Sequence, residues 1–594
     1  MLKWSAGTPC AAMCRVCGVT GALTSWVSAP HVLATEADVE FAKCTACQSI
    51  SALQDILAFD HIQQGDIEIF LRQYVESTAG LWEMFWPVAS LAAASGKSLL
   101  DVGCGYGFTA DAWKTVINPR AFGCDPAPYA AAGRRLLGAH IFHALLDDVA
   151  ALDGERFDVV YSSEVIEHVP DPKAFALLLR ARLGDGGTLV LTTPAADFVI
   201  PSSDPSTTSA ALAAGFHGFL FSRDALENLL RAIGFAHVIV ERHNERLIAW
   251  ASDSEIVRVS VDSTAPIYAD YLARKVATLT DATDPQHTSL RTGYAYRLFK
   301  DRYLRGQHAD IAGLRKMLLA DIVIGHDLNL ESAPDVAALI EGLDAGATAF
   351  GGVARYCFPQ VALLFGYHAE NQERRPDVAY AWYELALAAT QKLCAQTVLS
   401  GLEAAAFYWQ AMLRAIALDV SAGRPARAAA RLVACVEAIV APEPLIGGSS
   451  PSAMLILQAV DAWALALLAR RDSAGLAALA DAFAQANAST ATHAKDESAA
   501  AFAELCNLAA GLARLCEVLV KRDGPAAREC LQRLRQPEAT PHAAVSEWRA
   551  ALAPRLQQLE AEIPVAPGGN ATSFANASQP YRLRAQPSSP KRWG

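Results

Sequence analysis

Residues 96–255 of this 594-residue chain predict an α/β fold, a seven-stranded and mostly parallel sheet wrapped by helices. Three observations carry that prediction. Seven short apolar segments punctuate the region, in order SLLDVG, AFGCD, IFHALL, FDVVYSS, GTLVLTTP, HVIVERH and RLIAWAS. Helical stretches separate the earlier ones, the pattern of crossover units on a parallel sheet. The last two are joined only by Asn244 and Glu245, so they form a hairpin and one strand must run antiparallel to its neighbours.

The flanks differ in kind. Residues 1–50 hold two C-x2-C pairs, Cys14 with Cys17 and Cys44 with Cys47, separated by 26 residues. Two such knuckles suit a tetrahedral zinc bound by four thiolates, with Cys10 as a spare or competing ligand. A redox pair and a metal-free remnant are the alternatives. Four sulfurs leave no open coordination position, so this zinc would be structural and would fix a small zinc-ribbon-like lobe beside the site. Residues 51–95 read as a helical connector. From 262 to 560 the strand signal is lost and the sequence is rich in alanine and leucine. Turn positions Gly423, Ser473 and Gly524 recur at intervals of 50 and 51 residues, with Gly306 as an earlier example. Stacked helix pairs in a solenoid-like, all-α region give such a recurrence; an ordinary helical bundle with Ala/Gly turns also would. Residues 561–594 form a Pro/Ser/Asn-rich tail, without an acidic residue from Pro564 onward, and are expected to be disordered.

Composition narrows the function classes. The net charge of −12 argues against a nucleic-acid partner held by a general positive field. No run reaches the roughly 18 uninterrupted apolar residues of a transmembrane segment. The first residues lack the apolar core of a signal peptide, so a reducing cytoplasm is the expected location and the cysteines are expected as thiols or ligands.

The chemistry starts at Gly103, Gly105 and Gly107, a G-x-G-x-G turn directly after the first strand. Glycine admits positive φ and lets a ligand lie against the main chain at the carboxyl edge of the sheet. A dinucleotide site prefers G-x-G-x-x-G, and Phe108 stands where that third glycine would be. Asp125, 20 residues after Gly105, is placed to accept hydrogen bonds from two ribose hydroxyls, which both NAD and S-adenosylmethionine carry. Asp101 decides between them. A carboxylate there suits the cationic aminoacyl part of S-adenosylmethionine and repels a pyrophosphate. Asp147 or Asp148, after the third strand, is a partner for the adenine amino group.

LLDVGCGYG, GCDPAP, FDVVYSSEVIEHVPDP and LGDGGTLVLTTP resemble the successive motifs of class I S-adenosylmethionine-dependent methyltransferases, over residues 97 to 252. The resemblance implies a Rossmann-like, seven-stranded methyltransferase core whose antiparallel seventh strand lies beside the sixth. EVIEHVPDP and GFHGFLFSRDALENLLRAIGF resemble the branch that acts on small molecules and surface glycans. That branch implies a sugar or glycan-precursor acceptor in polysaccharide metabolism, methylated at oxygen, with carbon and nitrogen as the alternatives.

Methylation of a hydroxyl requires loss of its proton. His168 is the candidate base, with Glu167 beside it to orient the ring; the other reading is that His168 packs or caps its loop. His217 is the second candidate, for acceptor binding, although glycine at 218 stands where a bulkier residue is expected. Residues 201–215 read as a mobile lid ahead of it. The helical region is then a docking surface for a protein partner or for a long acceptor. The alternative is a catalytically idle scaffold whose helical region binds partners.

Overall fold

A computed structural model describes residues 2–5, 7–32, 38–56, 64–76, 81–91, 96–203, 205–322, 355–396, 398–441, 453–491, 497–536 and 542–564. The expected disordered tail falls almost wholly outside them. The chain divides into two compact units, Met1–Asp321 and Ile322–Trp593. Among the described residues no helix is long and apolar enough to cross a membrane.

The first unit opens with strands β1 (Lys3–Trp4), β2 (Pro9–Cys10), β3 (Leu23–Pro30), β4 (Asp38–Cys44) and β5 (Ile50–Ala52), followed by helices α1 (Gln64–Glu76) and α2 (Leu81–Ala89). The core then alternates: β6 (Leu99–Val102), α3 (Phe108–Val116), β7 (Ala121–Cys124), α4 (Tyr129–Leu137), β8 (His140–Phe142), β9 (Phe157–Ser163), α5 (Pro172–Arg180) and β10 (Leu183–Pro194). It ends with α6 (Pro205–Leu212), β11 (Phe219–Leu220), α7 (Arg223–Ala232), β12 (His237–His243) and β13 (Arg246–Ser252). Helix starts follow local chemistry. Asp171 caps α5 by accepting from the Lys173 and Ala174 amides, with Pro172 in the first turn. Ser222 caps α7 by accepting from Ala225.

Strand order in the large sheet is β12-β13-β10-β9-β6-β7-β8, and β13 runs antiparallel to both β10 and β12. All seven expected strands are present, and the seventh is inserted between the fifth and the sixth. Alternation of side chains across β6 explains why both sheet faces are covered. Leu100 joins Val160, Leu191, Leu179 and Leu226 on one face. Leu99 joins Val159, Tyr161, Trp113 and Trp250 on the other. Each such large side chain, fully buried, contributes about 1.5–3 kcal/mol.

The cysteine lobe is an antiparallel sheet in the order β1-β3-β4-β5-β11, with β2 against β3. Its last strand comes from far along the chain, where Phe219 and Leu220 pair with Ser51 and Ile50. The lobe core joins Val27, Val39, Phe41 and Ile50 to Val199, Ala211, Leu212 and Leu220. The segment expected as a mobile lid therefore contains a helix, α6, whose end packs into the lobe, because Ala211, Leu212 and Ala214 present an apolar face to it.

Two further helices, α8 (Val261–Thr278) and α9 (Pro285–Leu304), belong to the first unit although they lie in the stretch read as the helical region. The Tyr271 hydroxyl donates to Asp111 at 2.8 Å and Lys275 pairs with the same carboxylate at 2.9 Å. Gly293 lets α9 touch α1, since a Cβ there would lie 2.1 Å from the Val75 carbonyl oxygen. Helix α10 (Ala312–Ile322) closes this stretch.

Among the described residues the second unit holds only helices: α11 (Phe358–Asn371), α12 (Pro376–Gln396), α13 (Val398–Ser421), α14 (Pro425–Val440), α15 (Ala453–Ala469), α16 (Ser473–Ala491), α17 (Glu497–Val520), α18 (Gly524–Leu534) and α19 (Ala543–Glu560). Left-handed backbone recurs at its tight turns, at Arg374, Gly423, Arg471 and Arg522. Successive helices pack on one another, and α15 also packs on α17 and α19, an arrangement that departs from a strict row of pairs.

Candidate active site

The glycine turn lies at the carboxyl end of β6. Gly103, Gly105 and Gly107 all take positive φ, at 75°, 53° and 77°. A Cβ on Gly103 would lie 2.3 Å from Val165 Cγ2, whereas a Cβ on Gly105 would meet nothing within 4 Å. The turn is thus packed below and open above, as a cradle for a ligand requires. The Gly103 amide donates to the Cys124 carbonyl at 2.8 Å, which ties the turn to β7. Asp125 completes it: one carboxylate oxygen accepts from the Gly105 amide at 2.9 Å and the other from the Ala127 amide at 2.7 Å. Helix α4 reaches the turn at Gly133, where a Cβ would lie 1.9 Å from the Tyr106 carbonyl oxygen. The Tyr106 hydroxyl donates to Ile67 at 2.6 Å and so binds the turn to α1.

Asp101 is 3% exposed. Burial, and then the nearby Asp125 carboxylate, push its carboxyl up to about 8. A buried acid of this kind is relieved by a cation, which is the fit an aminoacyl ammonium provides. Asp147 and Asp148 lie on a 3-10 turn, Leu146–Asp148, after β8. Both are exposed, and Asp147 lies 3.6 Å from the Arg182 guanidinium.

Beyond β9 the chain turns through Glu164, a non-glycine residue at φ 54°. Its carboxylate accepts from Thr192 Oγ1 at 2.8 Å. Burial disfavours the Arg246 cation, but Glu164, Glu245 and Glu83 outweigh it and hold the guanidinium above its ordinary range. Sequence reasoning did not single out Glu164, Thr192 and Arg246, which the structure groups beyond β9. Glu164 stood inside the motif SSEVIEH, but nothing in sequence marks Arg246, which arrives through strand order.

Glu167 and His168 end the next turn, and His217 comes to meet them. The two rings are 4.8 Å apart, edge to face. Glu167 is fully buried. One carboxylate oxygen accepts from Thr193 Oγ1 at 3.0 Å; the other has no hydrogen-bond partner among the described residues and lies 3.9 Å from His168 Nε2 and 4.0 Å from His217 Nε2. His168 Nδ1 lies 2.9 Å from the Phe216 carbonyl, and His217 Nδ1 lies 2.8 Å from the Ala211 carbonyl. A carbonyl only accepts, so both rings carry their proton on Nδ1 and present a lone pair at Nε2. Orientation of His168 thus comes from a main-chain carbonyl, with Glu167 too distant for a hydrogen bond. Burial lowers the pKa of His168. Burial and then His168 bring that of His217 down to about 3, so both rings are neutral at pH 7. Burial, and then Glu164, push the Glu167 carboxyl well up. The three donor atoms lie within 4.8 Å of one another, a spacing that a divalent cation would have to draw inward toward the ~3.4 Å of ligands on ~2.1 Å bonds.

Cys14, Cys17, Cys44 and Cys47 come together in the lobe. Sγ–Sγ separations are 3.7 Å for Cys14–Cys47 and 3.7 Å for Cys17–Cys44. A zinc tetrahedron with ~2.3 Å bonds has edges of ~3.8 Å, which these two separations match, and all four sulfurs lie within 4.8 Å of one another. The knuckles share one shape: the residue after each second cysteine, Gly18 or Gln48, is left-handed and its amide returns to the carbonyl of the first. Cys10 lies outside the four, its sulfur 3.6 Å from the Thr8 carbonyl oxygen.

Residues 79–240 match the family model described as a methyltransferase domain. A ubiquinone biosynthesis O-methyltransferase from Cereibacter sphaeroides is 38% identical over 104 residues, 16% of this chain and 41% of the relative. A tRNA U34 carboxymethyltransferase from Sodalis glossinidius is 29% identical over 258 residues, 36% of this chain and 77% of the relative. Among solved structures, an O-methyltransferase family protein from Burkholderia thailandensis is 17% identical with a TM-score of 0.26, over 33% of this chain and 61% of that one. The chain spans about two fifths of the length of the first curated relatives it matches. The glycine turn, its two aspartates and the matched segment together make residues 79–240 a class I S-adenosylmethionine-dependent methyltransferase domain.

Proposed function

We propose that the chain transfers a methyl group from S-adenosylmethionine to a hydroxyl of a sugar or glycan precursor, in surface polysaccharide metabolism in the cytoplasm. The observation that carries the transfer chemistry is the pairing of an open glycine cradle, flanked by Asp101 and Asp125, with neutral imidazoles one loop away. The cofactor, when bound, supplies an electrophilic methyl. Asp125 would hold its ribose, Asp101 would face its ammonium, and Asp147 or Asp148 would approach its adenine. His168 accepts the acceptor proton at Nε2, the position its tautomer leaves basic. Glu167 and His217 are the groups packed around it. Positioning of the acceptor against the methyl supplies most of the acceleration, roughly 7–11 kcal/mol for a well-aligned pair.

The four cysteines bind structural zinc, supported by sulfur spacing and by the paired knuckles. The helical unit serves as a docking surface for a protein partner. A second acceptor class, a hydroxylated aromatic ring, is favoured by the 38% identical relative, whose name places it in ubiquinone biosynthesis. An idle scaffold is disfavoured by the intact glycine turn.

Calorimetric titration with S-adenosylmethionine and with NADH, alongside Asp125→Ala, tests the cofactor. Tight sulfonium binding that the variant loses supports the proposal; binding of NADH alone refutes it. Transfer of labelled methyl to a panel of nucleotide sugars, glycans and catechols then separates the two acceptor classes.

A further inference from the structure

We propose that the four-cysteine centre governs the acceptor half of the site alone, with Ser222 as the positioning residue that links the two. This rests on the reading that the cysteines bind a metal and that His168 and His217 serve the acceptor.

The connection is continuous from the sulfurs to the histidines. Ser222 Oγ donates to the Cys47 carbonyl at 2.6 Å, and the Ser222 amide donates to Ser49 Oγ at 3.1 Å. The same Oγ accepts from the Ala225 amide at 3.1 Å and so caps α7. One side chain therefore joins a metal knuckle to a helix start, five residues after His217. A second path runs through Ser51. Its hydroxyl lies 4.0 Å from Cys14 Sγ and accepts from the Arg15 amide at 3.2 Å, between the first two cysteines. Ser51 pairs with Phe219 across β5 and β11, and the next amide, of Ala52, donates to the Gly218 carbonyl at 2.9 Å. The Gly218 amide in turn donates to the Glu167 carbonyl at 2.9 Å. Gly218 thus ties the lobe to the turn bearing Glu167 and His168, with both its main-chain groups used.

The cofactor half is held by other elements. Asp125, Cys124 and Tyr106 fasten the glycine turn to β7 and α1. A four-thiolate centre closes the 30-residue excursion from Cys17 to Cys47 into one rigid body, and binding free energy of this kind is ordering free energy. Metal occupancy accordingly sets the order of residues 211–222 and leaves cofactor affinity as it is. The device makes methyl transfer responsive to the zinc supply.

The test uses the full chain, cobalt-loaded, zinc-loaded and stripped with a chelator. Thiolate-to-cobalt absorption reports whether the cysteines bind metal, independently of the coupling. Amide exchange over 211–222, the Nδ1/Nε2 proton positions of His168 and His217 by nitrogen-15 NMR, and calorimetry with S-adenosylmethionine are then compared. Expected on stripping is about tenfold faster exchange over 211–222, the loss of one or two buried hydrogen bonds, with blurring of the His217 tautomer. Cofactor affinity stays within about twofold. Ser222→Ala, metal-loaded, reproduces the faster exchange while keeping the cobalt absorption, and Ser222→Thr restores the protected state. Unchanged exchange in both the stripped chain and Ser222→Ala overturns the coupling. Loss of cofactor binding on stripping also overturns it, since the lobe would then support the whole unit. Absence of the cobalt band overturns the metal reading itself.

Discussion

Binding of an ammonium-bearing ligand at Asp101 should depend steeply on pH. The carboxyl is buried at the end of β6, and burial with the Asp125 charge pushes it up to about 8. In the cofactor-free protein it is therefore mostly protonated at pH 7, and the ligand must displace that proton. If only the ionised form binds, the dissociation constant scales as 1 + 10^(8 − pH). Relative to about pH 8.5, affinity is then about eightfold weaker at pH 7 and about eightyfold weaker at pH 6, or about 1.2 and 2.6 kcal/mol. Stability moves the opposite way. The folded pKa lies above the unfolded value near 3.9, so the unfolded state ionises first. This group's contribution is full below about pH 4 and falls by up to about 1.4 kcal/mol per unit until pH passes about 8. Calorimetry with S-adenosylhomocysteine, which keeps the ammonium, measures the binding profile in the unmodified chain and in Asp101→Asn. The variant should bind weakly and with a flat profile between about pH 6 and pH 8.5. A flat profile in the unmodified chain, or a slope that survives in Asp101→Asn, would refute the reasoning.

Asp125→Ala should weaken cofactor binding by about two orders of magnitude or more, since two charge-assisted hydrogen bonds of ~1.5–3 kcal/mol each are lost; a change under about threefold argues against ribose contact. Gly133→Ala should lower both melting temperature and cofactor affinity, because the new Cβ meets a main-chain oxygen at 1.9 Å that no rotamer change can relieve. Overpacking of this sort costs about 1–3 kcal/mol, and an unchanged melting curve would show that α4 does not press on the turn. A chain ended after residue 322 should keep its melting temperature and bind cofactor as the full chain does. One ended after residue 260 should be destabilised by about 3–5 kcal/mol, because Asp111, 2% exposed, loses both Tyr271 and Lys275. Equal melting temperatures for the two truncations would contradict the packing of α8.

Local rules made much of this protein legible in sequence. Seven strands, the closing hairpin, the glycine turn, Asp101 and Asp125 all follow from periodicity, from glycine's freedom at positive φ and from carboxylates at strand ends, each written within a few neighbouring residues. The cysteine knuckles are equally local, four residues apiece. Tertiary structure alone decided what long-range packing assembles. Strand β11 joins the lobe sheet across more than 160 residues of sequence, and α6 packs where a lid was expected, because its end is apolar toward a surface that only folding supplies. Helices α8 and α9 pack on the first unit through Asp111 and Gly293, contacts with no signature of their own. Arg246 reaches Glu164 because the seventh strand is inserted beside the fifth, and the tautomers of His168 and His217 are set by carbonyls distant or oblique in sequence. Sequence names the groups that carry chemistry, whereas their protonation, orientation and mutual distance are properties of burial and strand order.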